Sequence, residues 1–180
     1  VKAPVVMIDT DFIVWKELEF GDALIAAHRE EISDGIYPPL NFFRAGEHII
    51  PDLSEEVLPL NTAFLYVPDN DFKEFYTCQA ISFMKSAARC DDRLKYMVFA
   101  EQRLAAMCAD YTGTPVRTLL DKDSLFYPQS DFTHLWGAKQ AMRDHPELRG
   151  EFLWKCRKRL LSEFPEYAYI AEIIDSLNGE

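Results

Sequence analysis

The chain has no apolar run long enough to cross a bilayer, since a spanning helix needs about twenty consecutive apolar residues. It has no basic segment followed by an apolar core of the kind that marks a secretory leader. It opens on Val1 rather than Met, so the lack of a leader carries little weight. Basic charge is also scarce. Nineteen Lys and Arg face thirty Asp and Glu, for a net charge of −11. That balance excludes a non-specific nucleic-acid binder, which needs a basic footprint. Only four cysteines are present, Cys78, Cys90, Cys108 and Cys156. Their spacing matches neither a C-x-x-C redox pair nor a zinc site, so they read as reduced thiols of an intracellular, cytoplasmic protein. There is no internal repeat and no low-complexity linker. With 48 % hydrophobic and 27 % charged residues, the 180-residue chain has the composition of one globular domain with a real core.

The periodicities predict an α/β fold. Val5-Val6-Met7-Ile8 reads as a short buried strand, continuous rather than alternating, as in parallel sheets. Residues 12–14 remain apolar after it, so the chain bends and packs again there. A short helix is expected within residues 18–27, and a loop over 34–43, where Gly35, Pro38 and Pro39 interrupt the pattern. Residues 51–59 read as another irregular connection. Residues 60–67 form a second buried strand, closed by the turn residues Pro68-Asp69-Asn70. Helices follow over 71–88, with Asp71 as its cap, and over 91–110, ended by Gly113 and Pro115. Residues 116–120 read as a third strand and 121–131 as a loop. Residues 132–137 lead into a helix that stops near Pro146. A helix over 147–164 carries its basic residues late, which suits the helix dipole. A last short helix covers 167–177. A strand as apolar as residues 5–8 demands neighbours on both sides, and two or three further strands leave the sheet short of them.

The chemistry concentrates at Asp9-Thr10-Asp11. Carboxylates are seldom buried unless paired or metal-bound. If the strand continues through them, residues i and i+2 face the same way, and both carboxylates can approach one cation. Mg²⁺ or Mn²⁺ fits such a hard oxygen site, completed by substrate phosphates. The other reading is a turn capped by Asp11. His134 supplies an imidazole that suits Mn²⁺ as a third ligand, or else packs in a loop. Gly137 lets a backbone approach phosphate, and Lys139 offers a point charge for it. Glu101-Gln102, on an apolar helix, either binds a hydroxylated substrate or lies on the helix surface. Asn61 opens a buried strand, where its amide must find partners. His28, His48 and His145 read as surface residues.

Taken in order, these segments resemble the nucleotide-sugar-dependent glycosyltransferases of the GT-A fold, in particular the family of glycogenin and the bacterial lipopolysaccharide galactosyl- and glucosyltransferases. Val5-Val6-Met7-Ile8-Asp9-Thr10-Asp11 resembles its apolar strand and DxD motif. Asn61-Thr62-Ala63-Phe64-Leu65-Tyr66 resembles its asparagine-serine-glycine strand. Glu101-Gln102-Arg103-Leu104 resembles its aspartate-glutamine pair, and His134-Leu135-Trp136-Gly137-Ala138-Lys139 its histidine-glycine-lysine segment. The chain also resembles a group of uncharacterised bacterial proteins known only as a domain of unknown function. The resemblance spans roughly residues 4–140. It departs from the family at Ala63 and Glu101. The histidine segment is one residue shorter before its lysine, and no Pro-Trp follows.

The resemblance implies the C-terminal portion of a GT-A domain, with a mixed sheet and flanking helices. Residues 1–140 would be the catalytic-core part and 141–180 C-terminal helices, with the N-terminal nucleotide-binding half missing. It further implies Mn²⁺ (or Mg²⁺) held by Asp9, Asp11 and His134, a donor diphosphate touched by Gly137 and Lys139, and a pocket for donor sugar or acceptor lined by Asn61, Glu101 and Gln102. The partners would be a nucleotide-sugar donor and a glycan or lipid-linked acceptor. Two alternatives stand beside it. One is a haloacid-dehalogenase-like phosphatase with Asp9 as nucleophile, Asp11 as general acid/base, and Lys85 and Asp91-Asp92 as later elements. The other is a non-catalytic domain of GT-A-like fold.

Overall fold

A computed structural model describes residues 2–177 except 34, 45–49, 51, 89–90, 126, 128 and 136. Cys90, His48 and the Trp136 of the histidine segment therefore lie outside the described residues. The chain forms two compact units, residues 1–134 and 135–180, where the sequence reads as one domain.

The first unit is mixed α/β. Its strands are β1 (Val5–Ile8), β2 (Phe12–Val14), β3 (Leu24–Arg29), β4 (Leu60–Val67), β5 (Val116–Thr118) and β6 (Phe132–His134). Four of them make a mixed sheet in the order β1-β4-β3-β5. β4 runs antiparallel to both neighbours, and β3 runs parallel to β5. β2 and β6 pair antiparallel as a separate ribbon. The helical side holds α1 (Asn70–Ser86), α2 (Arg93–Val98), a π-helical turn (Phe99–Arg103) and α3 (Leu104–Thr112).

Period-two alternation on the two central strands explains the layering. On β3, Leu24 and Ala26 join the helices in one core, while Ile25 and Ala27 face a second core. On β4, Leu65 and Val67 join the first, Phe64 and Tyr66 the second. The first core contains Phe43, Phe83 and Phe99, with ring centroids 4.8–5.1 Å apart. The second is closed by Phe12 and Phe132 of the ribbon, stacked at 5.0 Å. Both faces of β3 and β4 are thus covered, and each fully buried Phe or Leu adds about 1.5–3 kcal/mol.

Several expectations are corrected here. β1 is not a buried parallel strand: it is an antiparallel edge strand, and Val6, Met7 and Ile8 are 37 %, 46 % and 47 % exposed. Its apolarity suited burial, but a neighbour lies on one side only. The helix expected within 18–27 is absent, because the apolar run Leu24-Ile25-Ala26-Ala27 is the buried strand β3. α1 is capped by Asp69, whose side chain accepts from Phe72 N at 2.8 Å, rather than by Asp71. The helix expected over 91–110 is interrupted by the π turn. β4 and the C-terminal end of α3 fall where the sequence placed them, with Gly113 closing α3 at φ 68°.

The second unit is helical: α4 (Ala138–Asp144), α5 (Pro146–Glu163) and α6 (Tyr169–Leu177). Pro146 starts α5 at a position where its missing N–H costs nothing. Among the described residues, no helix is long and apolar enough to cross a membrane.

Candidate functional site

The pentad does not continue as a strand. β1 ends at Ile8, and Phe12 N bonds back to Asp9 O at 3.0 Å, so Thr10 and Asp11 form the corner of a tight turn. Asp9 N is still tied to the sheet through Ala63 O at 2.8 Å. The strand-face expectation for the two carboxylates is thereby corrected: Asp9 is exposed, whereas Asp11 is buried.

The burial of Asp11 follows from what comes after it. β2 pairs with β6 in a register that sets Phe12 opposite His134. The Phe12 and His134 rings lie 5.5 Å apart. The register also brings Asp11 Oδ2 to 4.0 Å from His134 Nε2, with both side chains about nine-tenths covered. The ribbon is locked further along by Trp15 Nε1, which donates to Thr133 Oγ1 at 2.8 Å. Two segments more than a hundred residues apart thus deliver one carboxylate and one imidazole to the same place. Among the described residues, no group of three or more His, Cys, Asp or Glu is arranged to hold a metal ion.

Asn61 sits at the start of β4, with His28 as its cross-strand partner. Its Oδ1 accepts from Ala63 N at 3.1 Å and its Nδ2 donates to Glu30 Oε1 at 2.8 Å. The buried amide is therefore satisfied on both sides. The β3–β4 register shifts between Ala26 and His28, and such bulges re-aim side chains at strand ends. Because Asp9 bonds the Ala63 carbonyl, Asp9, Ala63, Asn61 and Glu30 form one hydrogen-bonded succession at this end of the sheet.

Glu101 and Gln102 lie within the π-helical turn. A π turn inserts a residue into a helix, misaligns the backbone ladder and is often found at functional sites. The Tyr76 hydroxyl from α1 donates to the Ala100 carbonyl at 3.0 Å and supports the turn. The Tyr37 hydroxyl donates to Gln102 Oε1 at 2.5 Å. Partial burial raises the Glu101 carboxyl above its usual range, and the charge on Asp9 raises it further. Burial, then the nearby Glu30 carboxylate, raises the Tyr37 phenol. Asp9 therefore lies within electrostatic reach of Glu101, and Glu30 within electrostatic reach of Tyr37.

Tyr37, Glu30 and His28 were not singled out by the sequence. His28 in particular is not a surface residue: it is only 3 % exposed. The placement of a lone histidine directly after the apolar run Leu24-Ile25-Ala26-Ala27 was the signal available. His145 is exposed, as expected, beside Glu147.

Gly137 and Lys139 belong to the second unit. Gly137 precedes α4 with φ −85°, and a Cβ placed on it meets no atom within 4 Å. Neither backbone geometry nor a close approach requires glycine there. Lys139 lines a cleft of about 280 Å³ with Arg143 and Arg149, over the apolar side chains of Met142 and Phe152.

No protein-family model matches the chain, and neither does any curated protein or solved structure.

Proposed function

We infer that the chain is a metal-dependent glycosyltransferase module, moving a sugar from a nucleotide-diphosphate donor to a carbohydrate or lipid-linked acceptor on a GT-A-like sheet. The observation that carries this reading is the approach of Asp11 to His134, 4.0 Å apart across the β2–β6 register, immediately after the turn that follows Asp9. A carboxylate and an imidazole suit Mn²⁺, with further positions left to substrate oxygens. Asp11 and His134 would hold the ion, with Asp9 adjacent in the chain. When bound, it would supply stabilisation of the charge on a diphosphate leaving group. Asn61, fixed by Glu30 and the Ala63 amide, presents a rigid rim beside Asp9. Gln102, held by Tyr37, offers its amide as a donor to a sugar hydroxyl. Glu101, with its raised carboxyl, is the group at this sheet end suited to hold or move a proton.

The phosphatase reading draws no comparable support. Asp92, one of its later elements, instead caps α2 by accepting from Leu94 N and Lys95 N. The test is Mn²⁺ binding by calorimetry, with and without a nucleoside diphosphate, on the full chain and on the Asp11→Asn and His134→Ala variants. Binding strengthened by the diphosphate and weakened at least tenfold in both variants is expected. Mn²⁺ affinity indifferent to both substitutions would overturn the assignment.

A further inference from the structure

The cleft of about 280 Å³ in the second unit has a lining unlike the rest of the chain. The chain holds thirty acidic residues against nineteen basic ones. Three of its cations, Lys139, Arg143 and Arg149, nevertheless meet in this cleft, and among the described residues no carboxylate lines it.

Helical spacing brings them there. Lys139, Met142 and Arg143 stand at i, i+3 and i+4 on α4, and Arg149, Phe152 and Leu153 repeat that spacing on α5. Residues so spaced share one face of a helix. The three apolar side chains are half-buried and the three cations are exposed, which gives an apolar floor under a basic rim.

The basic residues further along α5 are engaged with other groups. Lys155 pairs with Glu151 at 2.6 Å, Arg157 with Asp175 at 2.7 Å and Arg159 with Glu163 at 2.9 Å, and Lys158 lies over the Trp154 ring. Arg149 instead donates to the Leu177 carbonyl at 3.1 Å. That bond holds its guanidinium at the end of α6, where Leu177 lines the same cleft, and uses one of its five N–H donors. A guanidinium fixed in this way presents a planar fork that matches an oxyanion. An anion between Arg143 and Arg149 also relieves the repulsion of like charges.

Size and charge together narrow the occupant. A volume just under that of drug-sized sites admits a compact molecule. The rim calls for an anionic head and the floor for a hydrocarbon body, and a carboxylate is a smaller head than a phosphate, leaving more of the volume to that body. We propose that this cleft binds a small amphipathic carboxylate, its head on Arg143 and Arg149 and its hydrocarbon part over Met142, Phe152 and Leu153. None of Asp9, Asp11 or His134 lines the cleft, so the proposal stands apart from the glycosyltransferase reading.

The experiment is an NMR titration of the full chain with octanoate below its micelle concentration. Octan-1-ol supplies the chain without the charge, and acetate the charge without the chain. Saturable shifts are expected at Met142, Leu153 and Leu177, with octanoate binding at least tenfold more tightly than either control and more weakly as salt is raised. Arg143→Gln, with helicity unchanged by circular dichroism, should weaken octanoate at least fivefold. Arg143→Lys, which keeps the charge and loses the fork, should weaken it less. Lys158→Gln removes the same charge outside the cleft and should have no effect. Equal affinity for octanoate and octan-1-ol would reduce the cleft to an apolar groove and overturn the proposal. So would acetate binding as tightly as octanoate, shifts mapping elsewhere, or indifference to both Arg143 variants. Displacement of octanoate by an equal concentration of uridine diphosphate would overturn it in favour of a phosphate site. Binding to vesicles of anionic phospholipid with none to octanoate would overturn it in favour of a membrane surface.

Discussion

Removing one oxygen from Tyr37 tests whether the site is held by the contact between the 37–43 segment and the π turn. Tyr37 is 5 % exposed, and its hydroxyl donates to the half-buried Gln102 amide. Tyr37→Phe keeps the ring, so no cavity term arises. The loss is then the net hydrogen bond, about 0.5–1.5 kcal/mol, rising to roughly 1–3 kcal/mol if Gln102 Oε1 finds no other donor. A loss of about 1–2 kcal/mol is expected, which for a chain of this size lowers Tm by roughly 2–8 °C. Urea denaturation should show a lower midpoint at unchanged slope. The control is Tyr127→Phe, at a 70 % exposed ring, where a change of no more than about 0.5 kcal/mol is expected. If Tyr37→Phe is as silent as the control, the bond between Tyr37 and Gln102 does not hold the turn. If the proposed glycosyltransferase activity holds, the same substitution should also lower turnover of a nucleotide sugar, because Gln102 loses the hydrogen bond that fixes its rotamer.

Glu101→Gln should raise Tm at pH 7. A carboxyl whose pKa is raised on folding favours the protonated fold, so its stabilising contribution is present below about pH 4 and is lost as pH rises through the folded value. The advantage of the glutamine should therefore shrink on acidification, and a lower Tm at pH 7 would contradict it. Thiol labelling should separate two of the cysteines: Cys78 is exposed and reacts readily, whereas burial pushes the Cys108 thiol up to about 12 and keeps it unreactive until unfolding. Mass spectrometry after brief alkylation decides this, and early modification of Cys108 would refute the buried placement. Asp69→Ala should cost about 1 kcal/mol in urea denaturation through loss of the α1 cap, and a neutral result would mean that Asp71 takes over.

The sequence disclosed those elements whose local pattern agrees with their surroundings. β4 is apolar at nearly every position and lies at the sheet centre, so pattern and burial coincide. α5 is bounded by prolines that set its limits whatever it packs against. β1 was misjudged because its residues record what could cover them, not what does. β3 was missed because its two alanines weaken β propensity, and only pairing with β4 and β5 makes the segment a strand. The π turn has no signature in composition; it arises where Tyr76 and the neighbouring core accept a misaligned ladder.

The same distinction governs the site. Asp9, Asp11, Asn61 and Glu101-Gln102 could be picked out because a carboxylate or amide beside apolar residues violates the local pattern. His134 could be nominated on the same ground, but its meeting with Asp11 depends on the β2–β6 register, which joins residues more than a hundred positions apart. Tyr37, Glu30 and His28 were out of reach for a different reason. A tyrosine in a proline-rich loop, a glutamate in a run of charges and a histidine at a strand end are each ordinary where they stand. They become unusual only when a bulge turns the end of β3 toward Asn61 and the loop closes over Gln102. What long-range closure adds is therefore not the charged residues themselves but their placement: Asp9 acting on Glu101, Glu30 acting on Tyr37, and the His28 Nε2 buried without a hydrogen bond.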